Sequence, residues 1–276
     1  MRGWRAAGVA LVALSLAACT ARVGGVPDAE VVRPSLTPSV DQLPRAGQCT
    51  DTGLEVLDCK AEHEAEVTAV GVLEGLGDGY PGDRDVRRAA LPGCRAALTA
   101  YLGSADHDAT RLQAHAFWPS RDGWARGDRW RVCTVVELKP DGSRVRRKTS
   151  AKDLLKAAGF GTVQLCATSS PGEAKDPGIT ACDQSHKAEA VPGVLALGDP
   201  HDPAPPLEQV NAKAAEHCAK AVTNYVGAPR EDVFASWRAF GSQAWSEGYT
   251  SVICYAEATR PFTGRLWGLG RNPLPA

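Results

Sequence analysis

A cysteine, a histidine and a glutamate recur in this chain at one spacing: Cys59-x3-His63-x-Ala65-Glu66, and again Cys182-x3-His186-x-Ala188-Glu189. Thiolate with imidazole is material for a zinc site, and imidazole with carboxylate is material for acid–base catalysis. A zinc site needs free thiolates, and the compartment argued below spends the cysteines on disulfides, so neither a metal nor any other cofactor is expected. The segment after His63 is rich in β-branched residues, and along a strand positions three apart point to opposite faces. His63 and Glu66 are therefore not expected to form a dyad; the histidine is expected to cap the strand or bond a loop. Ser-His-Asp chemistry has no support, because Gly-x-Ser-x-Gly is absent and Ser242 lies outside any nucleophile elbow. No phosphate-binding Gly-x4-Gly-Lys-Ser/Thr occurs either, and turns account for Gly75, Gly77, Gly79 and Gly82. Trp118 and Trp124, with Trp237 and Trp245, can be read as a sugar-stacking platform or as core, and core is the commoner use of such residues. If any of these groups forms a binding surface, it is His63, Glu66, Trp118 and Trp124.

The compartment follows from the N-terminus. Arg2 and Arg5 precede a 13-residue apolar run, Ala6 to Ala18, which is too short to span a bilayer. It ends in Leu16-Ala17-Ala18-Cys19, which resembles the bacterial lipobox; an ordinary secretory cleavage is the plainer alternative. Residues 1–18 would then be a signal peptide, and lipidated Cys19 would tether the mature chain to the outer face of the cell membrane. Residues 19–44, mixed in Val, Pro, Ser and Thr, read as a flexible tether. Formal net charge is −1 and becomes −3 once Arg2 and Arg5 are lost, which argues against nucleic acid as a partner.

Eight cysteines remain after Cys19, an even number that outside the cytoplasm predicts a disulfide framework. They fall into two quartets with similar gaps, and the residues between them repeat. Cys94-Arg-Ala-Ala-Leu-Thr-Ala-Tyr-Leu-Gly103 is matched by Cys218-Ala-Lys-Ala-Val-Thr-Asn-Tyr-Val-Gly227. In both, apolar positions at i, i+3, i+4, i+7 and i+8 mark one face of a helix, stopped by a glycine able to take the left-handed conformation. Trp124 and Trp245 each stand nine residues before a cysteine, with Gly127 and Gly248 three residues after the tryptophan. The chain is thus read as two copies of one domain, each long enough to bury its own core.

The expected architecture is α+β: two small domains, each a short antiparallel sheet packed on one main helix and stapled by two disulfides. The first spans 45–138 and the second 163–258, with a tail over 259–276. Within the first, Leu54–Leu57 and His63–Leu73 read as strands and Asp128–Leu138 as a closing strand. Pro92 is placed in the first turn of the helix or at a break before it. The linker over 139–162 is basic, and its reading as a solvated hinge outweighs contact with anionic headgroups or wall polymers. Inside it, Ser150-Ala-Lys-Asp153 looks like a capping box opening a short helix that stops at Gly159. In the tail, Phe262 and Trp267 are expected to pack back on the domain.

Gly47-x-Cys49, Cys59-x3-His63-x-Ala-Glu66-Val, Tyr80-Pro81-Gly82, Cys94-x6-Tyr101-x-Gly103, Pro119-Ser120 and Trp124-x2-Gly127-Asp128-x3-Val132-Cys133 together resemble the septum-formation domain family. The second copy departs from the pattern: Gly241-Ser242 stands for Pro119-Ser120, Gly248-Tyr249 for Gly127-Asp128, and the Tyr-Pro-Gly turn is missing. The resemblance implies an exported or membrane-attached protein, mostly of actinobacteria, tied to division or the envelope. It supplies no reaction and no catalytic residue. The expected role is non-enzymatic: an envelope scaffold binding a wall polymer or a membrane or division protein. Its rivals are a wall hydrolase using His63 or Glu66, and an accessory lipoprotein of a membrane complex.

Four cysteines per domain allow three pairings. The short gaps favour Cys49–Cys59 and Cys166–Cys182, which leaves Cys94–Cys133 and Cys218–Cys254 to tie helix to closing strand. On loop entropy each bridge stabilises its domain by about 3–4 kcal/mol. Peptide mapping under non-reducing conditions should recover these four links; a Cys49–Cys94 or Cys59–Cys133 peptide would refute the pairing.

Overall fold

A computed structural model describes residues 42–156 and 158–276, so the expected signal peptide, Cys19 and nearly all of the expected tether lie outside the described residues. The first half runs β1 (Cys49–Thr50), β2 (Val56–Leu57), β3 (Ala65–Val72), α1 (Asp83–Leu102), β4 (Leu112–Phe117), α2 (Arg121–Ala125) and β5 (Trp130–Glu137). After α3 (Phe160–Val163), the second half runs β6 (Cys166–Ala167), β7 (Ile179–Thr180), β8 (His186–Ala190), β9 (Leu195–Ala196), α4 (Leu207–Val226), β10 (Val233–Ala239), α5 (Ser242–Trp245) and β11 (Ser251–Phe262). The strand order β2-β1-β3-β5-β4 is matched by β7-β6-β8-β11-β10, with β9 added beside β11. All pairings are antiparallel, giving two α+β units with the same plan.

Each sheet carries a 20-residue helix on one face. Leu98, Tyr101 and Leu102 of α1 pack with Ala114, Ala116, Cys133 and Val135 of the sheet. Both helices stop at the expected glycine, Gly103 with φ 86° and Gly227 with φ 88°. Helix α1 starts well before its proline: Asp83 and Asp85 favour the first turn electrostatically, and Val86 and Ala90 prolong the buried stripe past interior Pro92. The bridges join Cys49 to Cys59, Cys94 to Cys133, Cys166 to Cys182 and Cys218 to Cys254. Strands β4 and β10, which carry no strong alternation, complete the sheets.

The basic linker does not stand off as a hinge. Arg147 and Arg111 converge on buried Glu137, and Arg146 and Lys148 pair with Glu62 and Glu64. Its positive charge is therefore largely matched by the protein's own acids. No helix opens at Ser150, because Asp153 sits at φ 58° and the Ser150 hydroxyl is engaged elsewhere. In the tail Phe262 packs against His186, but Trp267 is 75% exposed.

The halves meet asymmetrically. A 3-10 turn after α1, Ala105–Ala109, sets Ala109 against Ala188, Ala190, Ile253 and Tyr255 on the face of the second sheet that its own helix leaves free. Beside it, buried Arg95 donates to Asp108 and to the Gly248 carbonyl (2.8 Å), with its guanidinium 3.8 Å over the Tyr249 ring. Ser251 donates to Asp108, and Asp106 accepts from the Gly193 and Val194 amides. Gly248 has φ 89°, and a Cβ there would lie 3.0 Å from Pro92, so the approach requires glycine. Among the described residues no helix is long and apolar enough to cross a membrane.

Burial alone would raise the Asp108 carboxyl, but His107, Arg95 and Ser251 hold it well below the usual carboxylate range. A depressed folded-state value adds stability above the ordinary value near 4, and that stability fades as pH falls below it. In urea titrations Asp108→Asn should therefore lose less stability between pH 5 and pH 2 than the parent chain. Arg95→Ala, which strands a buried carboxylate, should cost about 3 kcal/mol at pH 7.

Candidate functional site

Among the described residues polar side chains gather in a buried cluster in each half and at the junction between the halves. The buried clusters are built from the repeated motif. In β3 the register shifts between Val67 and Ala69, so Val67 and Ala69 face opposite sides of the sheet and Glu66 points toward α1. There Glu66 Oε2 accepts from the Tyr101 hydroxyl (2.8 Å) and the Ser150 hydroxyl (2.7 Å). Oε1 accepts from the Ala151 amide (2.7 Å) and faces His63 Nε2 at 3.3 Å. His63 and Glu66 do form a pair, contrary to the strand argument: β3 begins only at Ala65, and a bend at Glu64 breaks the alternation. In the second half the β11 register shifts between Glu257 and Phe262, opposite the stretch from Ala188 back to His186. Glu189 there accepts from Tyr225 (2.6 Å) and the Leu266 amide (3.1 Å), again with histidine Nε2 at 3.3 Å.

Proton placement follows from these contacts. His63 Nδ1 faces the Ala61 carbonyl at 3.0 Å and His186 Nδ1 faces the Gln184 carbonyl at 2.7 Å, so each Nδ1 must donate. Each Nε2 then meets a carboxylate oxygen, and one proton must sit between them. The two tyrosines stay neutral donors: burial, with Glu66 adding to it, pushes Tyr101 up to about 12, and burial beside Glu189 raises Tyr225 further still.

What these clusters can do is limited by access. His63 and Glu66 are each 1% exposed, and the gap beside them is too small for a water. Cys49, His63 and Glu66 place ligand atoms within 4.8 Å of one another, as do Cys166, His186 and Glu189. Both cysteines are oxidised, however, and both carboxylates already have their donors, so neither set as it stands offers the thiolate that zinc takes. Trp118 and Trp124 are buried as well. Trp124 meets Tyr80 edge-on at 5.6 Å and donates to the Gly77 carbonyl, while Arg129 covers its ring at 3.9 Å and also holds the glycine loop. The expected surface of His63, Glu66, Trp118 and Trp124 is therefore interior, because the core and the loop over it need these groups. In the second half Trp245 is buried, and half-buried Trp237 is bonded to Asn211.

The open site lies at the junction and was not singled out from the sequence. A cleft of about 90 Å³ runs between Arg111, Gln113 and Lys139 of the first half and Phe240, Tyr249 and Tyr255 of the second. Tyr255 projects from the same face of β11 as Ile253, opposite the cystine of Cys254, and Phe240 stacks at a tilt on Tyr249 at 4.7 Å. Only the pairing of two unlike faces creates this cleft, and no motif marks such a pairing.

A family model described as septum formation matches residues 44–254, which takes in both halves. No curated protein and no solved structure matches the chain.

Replacing Glu66 by Ala removes the acceptor of three donors and the partner of His63, and should cost about 3–5 kcal/mol in urea unfolding. It should also release the linker, so that trypsin cuts between Arg144 and Lys156 before it cuts elsewhere. Tyr101→Phe should keep the fold at a loss of about 1.5–3 kcal/mol. A raised tyrosine lends stability that is full below pH 10 and fades as pH climbs toward 12, so this variant should lose less between pH 9 and pH 12 than the parent.

Proposed function

Since the chain belongs to the septum-formation family, we propose that it is an extracytoplasmic, lipid-anchored binding module that serves septum formation without catalysing a reaction. Cys19 carries the anchor, and residues up to the first sheet form the tether. What supports a binding role is the contrast between the two kinds of site. The acid–histidine pairs are closed by the fold's own donors, whereas the junction holds an aromatic cleft open to solvent. A hydrolase working through His63 or Glu66 would require substrate to reach a carboxylate that three donors and an imidazole already enclose. The observation that carries the reading is this junction, formed by two stapled halves whose contact is fixed by Arg95, Asp108 and Ser251. A rigid cleft loses little freedom when it captures a ligand, which favours affinity.

The full chain should sediment with isolated cell walls and release no soluble sugar or peptide from them. In cells, Cys19→Ala should move the protein out of the membrane fraction and impair septation. Soluble wall fragments that disappear with His63→Ala, in a variant whose melting shows it folded, would overturn the non-enzymatic reading.

A further inference from the structure

Resting on that reading, we infer that the cleft between the halves binds an acidic saccharide: a sugar ring laid against Phe240, its polar groups met by Tyr249, Tyr255 and Gln113, and its anionic substituent by Lys139. The evidence begins with the hydroxyls. Tyr255 and Tyr249 are each only 5% exposed, yet neither hydroxyl has a hydrogen-bond partner among the described residues. Neither oxygen is among the unpartnered polar atoms sealed from solvent, and both tyrosines line the cleft. Burial keeps Tyr255 protonated, with its value pushed up to about 12, so it is a donor at any physiological pH. The half-buried amide of Gln113 likewise has no bonded partner among the described residues.

These three groups decide the class of ligand. An acyl chain in this space would leave two phenols and an amide facing hydrocarbon, each without a hydrogen-bond partner. A peptide strand would draw on main-chain pairing, whereas the lining here is side chains. A sugar matches both features: its C–H face suits an aromatic ring, and its hydroxyl and amide groups match phenols and a carboxamide. The charge follows from the rim. Lys139 is exposed at the mouth with no ion pair among the described residues, whereas Arg111 in the wall is already held by Glu137 and the Thr162 carbonyl. Arg238 also lines the cleft, but its nitrogens are taken by the Pro171, Ala174 and Lys175 carbonyls. Of the two acids, Asp108 is paired with Arg95 within the junction, and exposed Asp176, which accepts from the Gly178 amide, lies on the second-half side. Lys139 is the cation that the first-half side leaves without an ion pair.

The test is isothermal titration of the full chain with the disaccharide of N-acetylglucosamine and N-acetylmuramic acid, which bears one carboxylate. Its neutral counterpart, di-N-acetylchitobiose, a glycerol-phosphate trimer and an acidic tyrosine-containing hexapeptide are the competitors. The acidic disaccharide should bind, and the neutral one about tenfold more weakly. Tyr255→Phe should lower affinity about tenfold, the worth of one hydrogen bond, with no loss of melting temperature, because the hydroxyl it removes has no internal partner. Lys139→Gln should abolish the preference for the acidic sugar. Tighter binding of the glycerol phosphate or of the peptide would overturn the ligand class. No binding of the disaccharide, or binding untouched by Tyr255→Phe, would overturn the site. In either case, wall sedimentation that persists in Tyr255→Phe leaves the binding-module reading standing and the saccharide inference alone refuted.

Discussion

The structure depends on a carboxylate buried in each half and fully surrounded by donors. An isolated charge in such a place is prohibitive, and what makes it tolerable is that its partners come from every part of the domain. Glu66 is bonded by a helix residue, Tyr101, by Ser150 and Ala151 of the segment after the sheet, and by His63 ahead of the strand. Glu189 collects Tyr225, Leu266 and His186 in the same way. The acid therefore acts as a hub. Strand, helix and following segment cannot separate without leaving a charge and several donors unmatched in the interior. The disulfides constrain the chain covalently at nearby points, Cys49 beside the hub and Cys94 at the centre of the helix. Each small core is thus held by sulfur and by one polar node, which suits a domain whose apolar area alone is modest.

The hub also explains the domain limits. The stretch after β5 is an integral piece of the first half, because it supplies two of the donors to Glu66. The residues after β11 do the same for Glu189 through Leu266. These two stretches share no sequence pattern, yet they occupy the same structural position, since what the hub asks of them is mainly a backbone amide at one point. A main-chain donor leaves no trace in side-chain identity. This is why the basic linker reads as a solvated hinge when only its charges are considered, and why its packing becomes visible only in three dimensions.

Much else was legible. Helix stripes ending in glycine, paired tryptophans and glycines, and two quartets of cysteines carry the common plan, because a buried helical face and a left-handed terminus demand particular residues at particular places. Val86 and Ala90 continued the α1 stripe, but Pro92 masked them. The dyads were illegible for a definite reason: strand alternation was extended back through Glu64, where a bend interrupts it, and a register shift turns Glu66 toward the helix. The tryptophans were ambiguous by nature, since a ring that stacks on sugar and a ring that fills a core look alike in one dimension. The junction had no signature at all, its residues being scattered from Arg95 to Tyr255 and ordinary one by one.

The position of the open site follows from the asymmetry of the junction. If both halves presented the same contacts, a third unit could stack on the second as the second stacks on the first, and the array would have no natural end. The second half does not offer them: the position matching Arg95, one residue after the helix cysteine, is Ala219, and the residue matching Asp108 is Asp232, which is held by its neighbour Arg230. Conversely, the first half keeps Gly127 with nothing near it where the second uses Gly248 to approach α1. The second half therefore does not repeat the contacts by which the first half docks. The cleft such a pair creates is lined by non-equivalent surfaces, Arg111, Gln113 and Lys139 against Phe240, Tyr249 and Tyr255. The hubs and cystines must retain their residues for stability, whereas a cleft between unlike faces is free to change its lining. In a fold built twice from one plan, the asymmetric junction is where a recognition site can arise without disturbing either core.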